Sequence, residues 1–192
     1  MKIDVSMYKK SINESSFTLP QIAIIWDFYV TKSISKSAAQ QRKITDYGHS
    51  KIPFDDMIKR AGINENIMGL MADKMPKTLK EMDLIVNTEN TEIDIEECRA
   101  AYLIPYQITD DEKPKPKESK AEAFFKHIRN SFAHGNTYFF DNGNVLLEDK
   151  NGSTTTAMFL LRQQTLLDWI ALIDKNQKYY VLHNVCESCK LK

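Results

Sequence analysis

The chain has 192 residues, enough for one domain with a substantial buried core, and its 26 Lys and Arg balance 26 Asp and Glu. That balance removes any global field that would draw the protein onto nucleic acid or anionic lipid, so such a partner would need a local patch. Ordinary apolar and charged fractions exclude a disordered chain, and the three cysteines (Cys98, Cys186, Cys189) form no disulfide framework, consistent with a reducing cytoplasm.

The opening stretch MKIDVSMYKK carries weak periodicity and no apolar signal core, and the apolar run IAIIWDFYV is interrupted by Asp27, so no membrane span is expected. Ser16 or Thr18 can cap a helix with Pro20 in its first turn. Ile25, Trp26, Tyr29 and Val30 keep helical spacing, and a more polar run extends the expected helix to about Tyr47, where Gly48 ends it. Residues 55–86 read as two helical pieces broken around Gly62 and near Pro76, and their methionines as flexible packing groups. Residues 91–106 suggest a further helix closed by Pro105. A linker over 109–118, rich in proline and lysine, follows as a solvated loop.

Ser119-Lys-Ala-Glu122 fits a capping box, which predicts a helix running from there to His134 and ending at Gly135. Two Asn-Gly turn signals between β-prone runs then predict a hairpin or small three-stranded meander over 136–161, with 157–160 in a strand. A last amphipathic helix is expected over 163–175, followed by a tail over 180–192.

The helix carrying Lys126-His-Ile-Arg-Asn-Ser-Phe-Ala-His134 has an unusual content of titratable and hydrogen-bonding groups. At about 100° per residue, Phe124, Phe125, Ile128 and Phe132 form an apolar stripe. His127, Asn130 and His134 fall on the opposite side, with Arg129 at the flank. Imidazole exchanges protons near neutral pH, a guanidinium fork suits phosphate oxygens, and an Asn amide can orient either. With no acidic cluster nearby, metal-free phosphodiester cleavage is the natural chemistry, and no metal or cofactor is expected. RNA brings its own 2′-hydroxyl nucleophile, so a base, an acid and a charge stabiliser suffice. The acid is either His127 on the same face or His134 of a second copy across a two-fold axis. The plain alternative is a bundle helix whose polar face is solvated, with His127 one of its surface residues.

Arg129-Asn130-Ser-Phe-Ala-His134 resembles the R-x4–6-H motif of the HEPN superfamily, in the form where Asn follows the Arg. The resemblance covers roughly residues 119–175, with only a topological likeness in the N-terminal helices. It implies a mainly α fold, a single HEPN-like helical bundle over residues 1–192 with a small β-hairpin after the motif helix. It also implies a homodimeric, metal-independent endoribonuclease of toxin–antitoxin or phage-defence type, with RNA as substrate and a possible antitoxin or regulatory protein as partner. Arg129, Asn130 and His134 would be catalytic, and Lys120, Lys126 and His127 would bind substrate. Its alternative is a non-catalytic module of the same fold that binds RNA or a partner protein.

Other patterns carry less. Arg42 and His49 also satisfy R-x6-H, but Lys43 replaces the Asn and Gly48 intervenes before the His, so the two need not share a rigid element. His183, Cys186 and Cys189 are zinc-type ligands one short of a structural set, and read best as a frayed terminus. Tyr138, Phe139 and Phe140 offer rings for base stacking, although strand alternation must bury part of the run.

Overall fold

The computed structural model describes residues 15–62, 100–103, 119–140, 143–152 and 154–182. Helix α1 spans Leu19–Trp26. Its N-cap Thr18 and Gln21 form a reciprocal capping box, the Thr18 N–H donating to Gln21 Oε1 at 2.8 Å, with Pro20 in the first turn as expected.

The helical run does not reach Tyr47. It passes into one π-helical turn, Asp27–Thr31, and stops. The reason lies in the serines that follow: Ser33 Oγ accepts the Ser35 N–H at 3.2 Å and Ser35 Oγ accepts the Ser37 N–H at 3.3 Å. These local bonds replace the helical ladder. A short 3₁₀ turn, Ile44–Tyr47, then ends on Gly48 in the left-handed region. Helix α2, Phe54–Ala61, has Asp55 and Asp56 in its first turn, Lys59 and Arg60 in its last, and Gly62 as its cap, an arrangement that complements the helix dipole. The second helical piece expected before residue 86 lies outside the described residues.

Strand β1, Ala100–Leu103, corrects the helix expected over 91–106. Its backbone pairs antiparallel with β4 (Thr154–Arg162), Ala100 opposite Leu160 and Leu103 opposite Ala157. A long-range ladder outweighs the weak local preference of Ala-Ala-Tyr-Leu. The flanking residues 91–99 and 104–106 lie outside the described residues, as do the 109–118 linker and the cysteine tail.

Helix α3, Lys120–Ala133, is the motif helix, capped by Ser119 and Glu122 as predicted. Strands β2 (Thr137–Phe139) and β3 (Asn144–Asn151) complete an antiparallel sheet of order β1-β4-β3-β2. Gly143 and Gly152, the glycines of the two Asn-Gly signals, both have positive φ. The meander is thus present, and β1 extends it to four strands, a larger β component than the expected hairpin. Helix α4, Gln163–Ile173, follows β4 directly. Among the described residues, no helix is long and apolar enough to cross a membrane.

The helices gather on one face of the sheet. Phe124 of α3 meets Phe159 of β4 and Trp169 of α4 edge to face, with ring centroids 5.1 Å apart in both pairs. Tyr29 stacks on Phe132 and donates its hydroxyl to the Leu166 carbonyl at 2.7 Å. The Trp169 indole donates to the Met57 carbonyl at 2.8 Å, which ties α4 to α2. The other sheet face carries a smaller buried cluster of Phe140, Leu146 and Leu160. Phe139 belongs to the main core and Phe140 to this second cluster, so neither ring is available to stack on a base.

Candidate functional site

Helix α3 ends in a Schellman arrangement. Gly135 N–H donates to the Phe132 carbonyl at 3.1 Å and Asn136 N–H to the Ser131 carbonyl at 2.9 Å, with Gly135 at φ +70°. This turn leaves His134, the C-cap, exposed while the chain reverses into β2. The His134 imidazole has no hydrogen-bond partner among the described residues.

Over the two turns before it, Lys126, Arg129, Asn130 and Ala133 share the outward strip of the helix at i, i+3, i+4 and i+7. The three polar residues are half-buried and Ala133 is exposed. Arg129 Nη1 donates to Asn130 Oδ1 at 3.1 Å, and Asn130 Nδ2 donates to Asp149 Oδ2, also at 3.1 Å. Arg129 Nε is buried and has no acceptor among the described residues.

His127 is not on the solvated side. It is fully buried, and its Nδ1 lies 2.8 Å from Asp149 Oδ2. This corrects its placement with the substrate-binding groups: it cannot meet RNA through its ring while the helix stays packed. The physical cause is a second covering surface. The apolar stripe packs against Tyr29 and the aromatic core, and the flank carrying Ala123, His127 and Ser131 is buried as well, with His127 reaching Asp149 on β3. Ser131, on that flank, returns its hydroxyl to the His127 carbonyl at 2.8 Å.

Asp149 is the residue that sequence reasoning missed. It is 1 % exposed and shares the inward register of Val145 and Leu147, both fully buried. The strand pairing slips between Asp149 and Lys150, a bulge that re-aims the local side chains. The signal was an acidic residue on the core-facing alternation of a strand, which requires a buried donor. Thr156 Oγ1 donates to the Asp149 carbonyl at 3.2 Å across the bulge. Next to it, Lys150 pairs with Glu148 at 2.8 Å, which holds the Lys150 ammonium above its ordinary pKa.

Of the residues named from the sequence, Arg129, Asn130 and His134 lie in the last turns of α3, and Lys126 shares their outward strip at mid-helix. Lys120 does not join them; fourteen residues away, it stands roughly 20 Å along the axis, its Nζ 5.8 Å from the Phe54 ring. Asn130 makes its bonds to Arg129 and Asp149 rather than to His134.

The second R-x6-H match is structural. His49 lies beyond Gly48 and its Nε2 meets the Ile173 carbonyl at 2.8 Å, while Arg42 covers the Tyr179 ring at 3.7 Å and donates to the Tyr180 hydroxyl at 3.0 Å. Among the described residues no group of three or more His, Cys, Asp or Glu could hold a metal ion.

No curated protein and no solved structure matches the chain significantly. A family model described as HEPN pEK499 p136 matches residues 59–180, a span that contains α3, the β2–β4 meander and α4. With Arg129, Asn130 and His134 carried on the helix inside that span, the chain belongs to the HEPN superfamily, in the family described as HEPN pEK499 p136.

Proposed function

We propose that this protein is a metal-independent endoribonuclease of toxin–antitoxin or phage-defence type, cleaving RNA in a site shared by two copies of the chain. One observation carries the reading: a single capped helix ends in an exposed imidazole, with a tethered guanidinium one turn behind it. In the reaction, a His134 imidazole removes the 2′-hydroxyl proton, and the 2′-oxygen attacks the adjacent phosphorus. Arg129 faces the charge that builds on the phosphorane oxygens through the exposed part of its half-buried guanidinium, whose Nη1 is held by Asn130. A second proton donor must protonate the departing 5′-oxygen, leaving a 2′,3′-cyclic phosphate and a 5′-hydroxyl. His127 is sealed against Asp149, so His134 of a second copy is the group that fits. On this reading the protein works on RNA in the cytoplasm, and a neutralising protein or a trigger restrains it.

The test is incubation of total RNA in EDTA with the wild type and with His134→Ala, under conditions that strip any inhibitor. Cleavage by the wild type alone, leaving cyclic phosphate ends, is expected. Intact RNA in both, with RNA or protein binding retained, would instead establish the non-catalytic binding module.

A further inference from the structure

We propose that Asp149 is a positioning residue that sets the orientation of the Arg129 guanidinium through the Asn130 amide, with buried His127 holding the carboxylate in place. The inference rests on the reading of Arg129 as the phosphate-facing charge and deepens it.

The argument begins with what an ionised carboxylate can do: it accepts hydrogen bonds and cannot donate them. Asp149 Oδ2 faces two donors, His127 Nδ1 at 2.8 Å and Asn130 Nδ2 at 3.1 Å. The imidazole therefore carries its proton on Nδ1, and Asn130 must turn its NH2 toward β3. Its carbonyl oxygen is then forced toward the only other direction the amide spans, where Arg129 Nη1 meets it at 3.1 Å. A flipped Asn130 would set an oxygen against the carboxylate and an NH2 against the guanidinium. Both contacts would be repulsive, so one amide orientation survives.

Asp149 can impose this because its own position is over-determined. It sits at the bulge between β3 and β4, is nearly sealed from solvent, and has its carbonyl held by Thr156. His127 comes from the same helix as Asn130, three residues earlier, so both donors arrive on one rigid element. The chain of contacts runs from the sheet to the half-buried Arg129. It fixes Nη1 and leaves the remaining face of the fork to meet an anion.

The experiment is ¹⁵N relaxation on the Arg129 side chain in the full-length protein without RNA, for wild type, Asn130→Ala, Asp149→Asn and the double variant. In the wild type the Arg129 Nε order parameter should approach that of rigid backbone, about 0.85, and in each single variant it should fall below about 0.6. The double variant should be no more mobile than Asn130→Ala alone, because Asp149 acts through Asn130. A purely structural Asp149 would move the unfolding midpoint without this dependence. In parallel, kcat for RNA cleavage should drop about tenfold or more in Asp149→Asn, with KM little changed.

Arg129 order that survives Asp149→Asn in folded protein would overturn the proposal, whatever Asn130→Ala does. Should Asp149→Asn fail to fold, Arg129 order that survives in the half-buried Asn130→Ala variant overturns the proposal by the same readout, because Asp149 can act on Arg129 only through that amide. If the wild type cuts no RNA but Arg129 loosens as described, the ribonuclease reading falls and the positioning role stands.

Discussion

His127 Nδ1 and Asp149 Oδ2 lie 2.8 Å apart with both side chains sealed from water, joining the motif helix to the third strand of the sheet. A buried carboxylate deprived of its donor carries a penalty that no solvent relieves. Asp149→Ala or His127→Ala should each lower stability by about 3 kcal/mol in urea unfolding. Replacing both with apolar residues, Asp149→Leu and His127→Leu, should recover part of the loss, since no stranded polar group remains. Equal losses for the single and double changes would show that packing, not pairing, dominates.

The N-terminus of the motif helix makes a pH-dependent contribution. Glu122 accepts the Ser119 N–H at 2.9 Å, and this bond holds its carboxyl below the ordinary value of 4.5. A lowered folded pKa stabilises the fold above the unfolded value, and that gain is lost as pH falls through the folded value. Thermal midpoints of the wild type should therefore decline more steeply below about pH 4.5 than those of Glu122→Gln, whose amide keeps the box without titrating. Ser119→Ala removes the other half of the box and should cost about 1 kcal/mol at any pH.

Arg42 clasps the loop before the 3₁₀ turn to the segment after α4. It lies over Tyr179 and bonds Tyr180, whose hydroxyl in turn donates to Asp27 at 3.1 Å. Burial holds the Tyr180 phenol well above its ordinary pKa, so it remains a donor across the physiological range. Arg42→Ala should lose about 1–2 kcal/mol in denaturant unfolding. RNA cleavage per folded molecule should be unchanged, and likewise in His49→Ala. Abolished cleavage in a folded Arg42→Ala protein would move the active centre to the second R-x6-H match.

Lys126 shares the outward strip with Arg129, while Lys120 stands near the far end of the helix. If both reach RNA phosphates, Lys126→Ala and Lys120→Ala should each reduce the slope of log affinity against log salt by about one, on a 2′-deoxy-blocked RNA. An unchanged slope in Lys120→Ala, beside a reduced one in Lys126→Ala, would confine the contact to the end near His134.

Local chemistry makes much of this fold legible in the sequence. Thr18 with Gln21, and Ser119 with Glu122, are reciprocal caps that need only neighbouring residues. Gly135, Gly143 and Gly152 mark turns through a backbone conformation that other residues resist. The spacing of Arg129, Asn130 and His134 on one helix is a property of the 3.6-residue turn. Each of these is decided within a few residues, which is why a sequence can carry it.

The misreadings share an opposite cause. Ala100–Leu103 became a strand because β4 supplied a distant partner for its backbone, and the run after Thr31 left the helix because buried serines bound their own chain. His127 looked solvated because helical periodicity describes one covering surface, and this helix has two. Its burial depended on where the sheet would lie, and the bulge that brings Asp149 to it exists only once β3 and β4 have paired. Residue order alone specifies which side chains carry titratable and hydrogen-bonding groups and how they are spaced on a helix. Which of them face water and which are held by another depends on the packed fold, because burial and long-range pairing are set by distant parts of the chain.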